Sequence, residues 1–236
     1  MNSRLVIDEQ NQLLELRGPF FPQQAPVLRI IAKIISYIFH PVFVPVYIMW
    51  FLLFVHPYMF AGFSEKNKII ILVQSIMMLT FFPLVSVFLL KALKFINTIY
   101  LNTQKDRIIP FIACMTWYFW LWYVWKNMGK ATDAVDMPQH TVQLALAIFI
   151  TTVIGLMVNI KMKVSLHAIS MGVMIAFMSL MAITENFNSG VYLSAALLIA
   201  GLVCTARFIV SDHTPEEVYS GLLVGILSML IAWWVG

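Results

Sequence analysis

Ala206-Arg207-Phe208-Ile209-Val210-Ser211-Asp212-His213-Thr214-Pro215-Glu216-Glu217-Val218-Tyr219-Ser220-Gly221 is a polar interruption between two apolar runs, at about 190–210 and about 218–235. Its second half has the grammar of a helix start. Thr214 is placed to be the N-cap, Pro215 the first helical residue, and Glu217 the reciprocal partner three positions on. His213 therefore stands just ahead of a helix N-terminus, where free amides and the positive end of the helix dipole favour an anion. Arg207 ends the preceding apolar run. An arginine costs about 2.5–3.5 kcal/mol at the centre of a membrane helix, so it needs a partner or a route to the interface. Two readings fit this stretch: a phosphate or carboxylate site, or a capping box beside a snorkelling arginine.

Composition excludes a soluble domain. The 236 residues are 61% hydrophobic and 11% charged, with a mean hydropathy of +0.87, whereas soluble domains carry about 25% charged residues. Several runs reach the roughly 17–25 apolar residues that cross a bilayer as a helix. The net charge of +4 is dispersed through the loops, so nucleic-acid binding is not expected. Cys114 and Cys204 lie inside apolar runs without metal-ligand spacing and read as small buried hydrophobes. Residues 1–28 form a polar segment containing Pro19, Pro22 and Pro26. It lacks the apolar core and small-residue site of a cleavable signal, so the first span is expected to target the chain.

Residues 29–236 read as one all-α domain, a polytopic transmembrane helical bundle of six to seven spans. The candidate spans are about 34–56, 69–90, 108–125, 141–160, 167–184, 190–211 and 218–235. The first contains His40-Pro41 and Pro45 and should be kinked or broken there. The third is crowded with aromatics from Trp117 to Trp125, which suit an interfacial belt and packing surface. Alternating seven spans puts the loops at about 91–107, 161–166 and 211–217 on one membrane face. With the N-terminus inside, that arrangement puts eleven basic residues on one side and four on the other, and positive-inside counting makes the richer side cytoplasmic. A bacterial cytoplasmic membrane is the expected location, with lipid as the solvent and the partner.

The three loops on the common face hold most of the reactive side chains. They read Asn102-Thr-Gln-Lys105-Asp-Arg107-Ile-Ile-Pro110, Lys161-Met-Lys163-Val-Ser165-Leu-His167, and Arg207-x5-His213-x3-Glu217. Over residues 100–225 this series resembles the type 2 phosphatidic acid phosphatase superfamily, the lipid phosphate phosphatases related to vanadium haloperoxidases. Their motifs run K-x6-R-P, P-S-G-H and S-R-x5-H-x3-D in the same order. The third motif keeps its spacing throughout, with Ala206 for Ser and Glu217 for Asp. The second keeps Ser165 and His167 but has Val164 and Leu166 for Pro and Gly. The first is the furthest from the pattern: Pro110 is displaced from Arg107, and Tyr100 stands where the family has Lys.

The resemblance implies hydrolysis of a lipid phosphate or pyrophosphate, with no metal or other cofactor. His213 would attack phosphorus, Glu217 would hold its other ring nitrogen, and His167 would act as general acid and then base. Arg207, Arg107 and Lys105 would clamp the phosphoryl oxygens, with the Ser165 hydroxyl adding a donor. Taken singly, His167 and Ser165 also suit a helix start, and Arg107 and Lys105 suit topological anchoring. His40 has no counterpart in the motifs and reads as structural or cavity-lining. Two other functions are compatible with the sequence: a non-catalytic relative that binds or flips phospholipid, and a small transporter lined by His40 and Arg207.

Overall fold

The structure is a computed structural model describing residues 3–7, 13–17, 24–96, 99, 101, 104–131, 136–185, 188–210 and 213–236. Tyr100, Asn102 and Thr103 of the first loop, Ser211 and Asp212 of the third, and Pro19 and Pro22 of the N-terminal segment lie outside the described residues. A small antiparallel ribbon comes first, β1 Ser3–Ile7 paired with β2 Leu13–Arg17. Everything described after it is helical or connects helices.

The helices are α1 Pro26–Ile38, α2 Val44–Trp50, α3 Glu65–Ile76, α4 Phe82–Ala92, α5 Gln104–Ala131, α6 Gln139–Lys161, α7 Leu166–Thr184, α8 Gly190–Val210 and α9 Pro215–Val235. A π-helical turn, Phe51–Val55, extends α2, and another, Met77–Phe81, joins α3 to α4 in one rod, Glu65–Ala92. Pro83 sits at the start of α4; it has no amide hydrogen to give, and a widened turn is one way a helix absorbs that loss.

Six described helices are long and apolar enough to cross a membrane: the rod, α5, α6, α7, α8 and α9. This is the architecture of an integral membrane protein. The first expected span, 34–56, is broken as its prolines predict. The chain leaves the helix after Ile38 and re-enters one at Val44. The apolar piece Val44–Val55 is roughly 18 Å long at 1.5 Å per residue, short of a hydrocarbon core about 30 Å thick. Described residues that follow α4, α6 and α8 come together: Arg107 donates to the Leu101 and Val164 carbonyls, and the Ser165 N–H to the Glu217 carbonyl.

α7 is the central span. Just over half of its apolar window (56%) is buried inside the protein, against 22% for α8 and for the rod. Its main partner is α9, and glycines set that contact. A Cβ on Gly221 would lie 2.7 Å from the Ser165 carbonyl oxygen, and a Cβ on Gly172 or Gly225 would collide with backbone of the facing helix. Gly221 and Gly225 form the G-x-x-x-G spacing that lets membrane helices approach closely. At the motif end the Ser165 N–H donates to the Glu217 carbonyl (3.1 Å), so the second and third loops are joined through backbone.

Gly225→Ala is expected to destabilise the fold by about 1–3 kcal/mol, the cost of overpacking a tight contact. Gly201 is the control: it is also helical, but a Cβ placed on it would meet nothing within 4 Å. Gly201→Ala should be neutral or slightly stabilising, since alanine is the better helix former. Thermal unfolding of the two variants in detergent separates these outcomes.

Candidate functional site

The third loop builds its site from one carboxylate. Thr214 caps α9, accepting from the Glu217 N–H (3.3 Å), and Glu217 Oε2 reaches back to accept from the Thr214 N–H (3.3 Å). The same Oε2 accepts from His213 Nδ1 at 2.7 Å. Capping and holding the histidine are therefore a single arrangement. Because a carboxylate can only accept when ionised, Nδ1 carries the proton and Nε2 keeps its lone pair. Both side chains are buried, His213 at 4% and Glu217 at 5% exposure. Burial holds the His213 pKa below its usual value of 6.5; the Glu217 hydrogen bond opposes that shift, and the charges of Arg207 and Lys163 add to it. At neutral pH the ring is an uncharged imidazole with a free nitrogen.

The second loop places His167 in the first turn of α7. Its Nε2 lies 3.0 Å from the Ser36 carbonyl oxygen, an acceptor only, so Nε2 carries hydrogen and Nδ1 is left for chemistry. Ser165 is the fully buried N-cap of α7, its Oγ accepting from the Ala168 N–H (3.4 Å). It is not among the residues that line the cavity described below.

The first loop contributes Arg107 from the opening turn of α5. Nε donates to the Leu101 carbonyl (2.8 Å) and a terminal nitrogen to the Val164 carbonyl (2.6 Å). Leu101 adopts a left-handed conformation, φ 50°. Two of the five guanidinium donors are thus spent on anchoring the group. The loop is held to α6 by a reciprocal amide pair: Gln104 donates to the Asn159 carbonyl (3.0 Å) and Asn159 to the Gln104 carbonyl (2.9 Å).

These groups meet at a cavity of about 620 Å³, in the size range of small-molecule sites. His213, His167, Arg107 and Arg207 all line it. Lys105 is exposed and does not reach the wall. The lysines on the lining are Lys163 from the second loop and Lys33 from α1. His40 lines it too, its ring edge-on to His167 with centroids 5.4 Å apart. From this basic end the cavity continues between the helices past Ile48, Leu84, Phe111, Leu144, Ile148 and Val173. The arrangement is amphiphilic: cations and imidazoles at the loop end, hydrocarbon inside the bundle.

Comparison with known protein families, with curated proteins and with solved structures finds no match. The function of this chain therefore has to be read from its own residues. The sequence singles out the three motif loops but not the contribution of α1. Lys33 and Ser36 stand three residues apart on α1, the spacing of one helix face, and both line the cavity together with His40 just beyond the helix end.

Unfolded His213 takes up a proton near its usual value of 6.5 and the folded side chain does so only at lower pH. The unfolded chain thus binds the extra proton first, and stability that is complete above pH 6.5 is lost as pH falls through the folded value. The unfolding midpoint should drop on acidification below that point, and His213→Gln, which has no such proton to bind, should show a shallower drop. Identical slopes would remove His213 as the cause.

Proposed function

We propose that this chain is a membrane phosphatase that hydrolyses a lipid phosphate or pyrophosphate through a phosphohistidine, acting in a bacterial cytoplasmic membrane. The observation that carries this reading is the 2.7 Å His213–Glu217 contact at the wall of a cavity that is basic at one end and apolar at the other. A buried carboxylate that fixes the tautomer of a cavity-facing imidazole is the usual means of making a nitrogen nucleophile. It also supports the positive ring that forms when Nε2 bonds to phosphorus.

The chemistry follows from the donor and acceptor pattern. His213 Nε2 attacks phosphorus in line, and the bond to the ester oxygen breaks. The ring of His167 is neutral before substrate enters; the phosphate anion draws a proton onto its Nδ1 on binding, and His167 gives that proton to the leaving alkoxide. Neutral His167 then takes a proton from water at the same nitrogen as that water attacks the phosphohistidine. Inorganic phosphate leaves and His213 is restored. Arg107, Arg207, Lys163 and Lys33 supply the positive charge that spreads over the phosphoryl oxygens during both transfers, and such preorganised charge is worth most in a site that excludes water. The apolar arm of the cavity suits the substrate's tail. The site's resemblance to the lipid phosphate phosphatases points the same way, with Glu217 in the carboxylate position and Lys163 or Lys33 in place of the missing lysine of the first motif.

Phosphate release by the purified protein from a panel of lipid phosphates and diphosphates tests the proposal. His213→Ala should lose at least about 10³-fold in kcat, the scale on which removal of a nucleophile acts, and vanadate should inhibit the parent protein. Lys105→Ala should leave turnover within about twofold, as expected for an exposed charge away from the pocket. Silence across the panel from folded protein that still binds phospholipid would support a lipid-binding or lipid-flipping role instead.

A further inference from the structure

The break in the first apolar segment reaches the reactive end of the cavity. A residue that precedes proline is biased away from the helical region, and α1 ends at Ile38, ahead of His40 and Pro41. The helix closes with the Phe39 N–H on the Ile35 carbonyl (2.9 Å). The carbonyls just beyond find partners elsewhere in the fold. Ser36 O accepts from His167 Nε2 (3.0 Å), Ile38 O from the Tyr47 hydroxyl (2.9 Å), and Val42 O from the Thr80 hydroxyl (2.9 Å). The break is thus pinned to α2, to the rod Glu65–Ala92 and to α7 by side chains that use the backbone groups the helix gave up. The His40 ring is itself turned by the Val42 N–H, which donates to Nδ1 (3.4 Å), and lies at 81° to the ring of His167.

We propose that the His40–Pro41 break is a positioning device for His167: the released Ser36 carbonyl fixes it as the Nε2–H tautomer, and the His40 ring braces it edge-on, so that Nδ1 faces the cavity. Residues 36–41 belong to none of the three motif loops, and they supply an orientation that Leu166 and Val164 of the second loop do not provide by hydrogen bonding. His40 and Pro41 are positioning residues; neither is required to touch phosphorus. The role assigned to Nδ1 rests on the phosphatase reading above, whereas the tautomer and its cause do not.

The test is nitrogen NMR of protein labelled with 15N-histidine in lipid nanodiscs, with the His167 signals identified by their loss in His167→Gln. In the parent protein His167 should be the Nε2–H tautomer under neutral to mildly alkaline conditions. Pro41→Ala lets His40 re-enter the helix and reclaim the Ser36 carbonyl, so the His167 signals should become a mixture of tautomers. His40→Phe keeps an edge-on ring and should keep the parent tautomer. In phosphate release, Pro41→Ala should lower kcat about tenfold with KM unchanged, as small misalignments of a reacting group do. An Nδ1–H or mixed His167 in the parent protein would overturn the proposal. So would a folded Pro41→Ala variant whose His167 tautomer is unchanged. If no lipid phosphate is turned over, the NMR result still decides the proposal, and only the phosphatase reading is lost.

Discussion

The close approach of α7 and α9 is the constraint on which the rest of the site depends. Inside a bilayer there is no hydrophobic drive to press two apolar helices together, because lipid is as good a solvent for leucine as a neighbouring helix is. Contact has to come from shape. Gly172, Gly221 and Gly225 remove the side chains that would separate the two backbones, and the helices meet closely enough for the Ser165 N–H to bond to the Glu217 carbonyl. That single backbone bond sets the start of α7 beside the start of α9. His167 occupies the first turn of one helix, and His213 immediately precedes the cap of the other. Their common cavity follows from the helix pair, and the apolar arm follows from what α5, α6 and the broken first segment leave unfilled beside it.

A membrane bundle pays heavily for every buried charge, so the way these charges are satisfied says which of them are adjustable. Arg107 is fixed by two carbonyls, Glu217 by a capping amide and an imidazole, and the loop that carries Arg107 by the Gln104–Asn159 pair. These groups are held before any ligand arrives, and preorganisation of that kind is what lets charge act strongly on a developing transition state. Glu217 carries two tasks with one oxygen. The helix start and the histidine tautomer therefore stand or fall together, and a change at 217 cannot alter one without the other. The extra methylene relative to aspartate suits this double reach, since the side chain bridges from the first turn of α9 to the residue before its cap.

Much of the architecture is legible in the sequence because apolar length is a strong signal. Six of the candidate spans correspond to long helices, and His40-Pro41 marks a real break in the remaining one. The capping box at Thr214 and Glu217 is equally legible, since its residues are close neighbours in the chain. What the sequence conceals is long-range. Lys105 and Lys163 both sit in motif loops and carry the same charge, yet only Lys163 reaches the cavity; the turn of a helix decides, and loop position alone does not report it. Ser165, in the second motif, caps α7 through its Oγ and is not on the cavity lining. The part played by Ser36 goes through a main-chain carbonyl, which no residue type advertises. His40, readable as structural or as cavity-lining, is both a lining residue and a brace for His167.

The central claim is that His213 becomes covalently phosphorylated. It is tested most directly by acid-free quenching of the parent protein during turnover of a radiolabelled lipid phosphate and mapping of the label by peptide analysis. The expected result is an acid-labile, alkali-stable phosphate on the peptide that carries His213, absent when His213 is replaced. Release of phosphate with no label on that peptide, or label on a hydroxyl or carboxylate elsewhere, would contradict it.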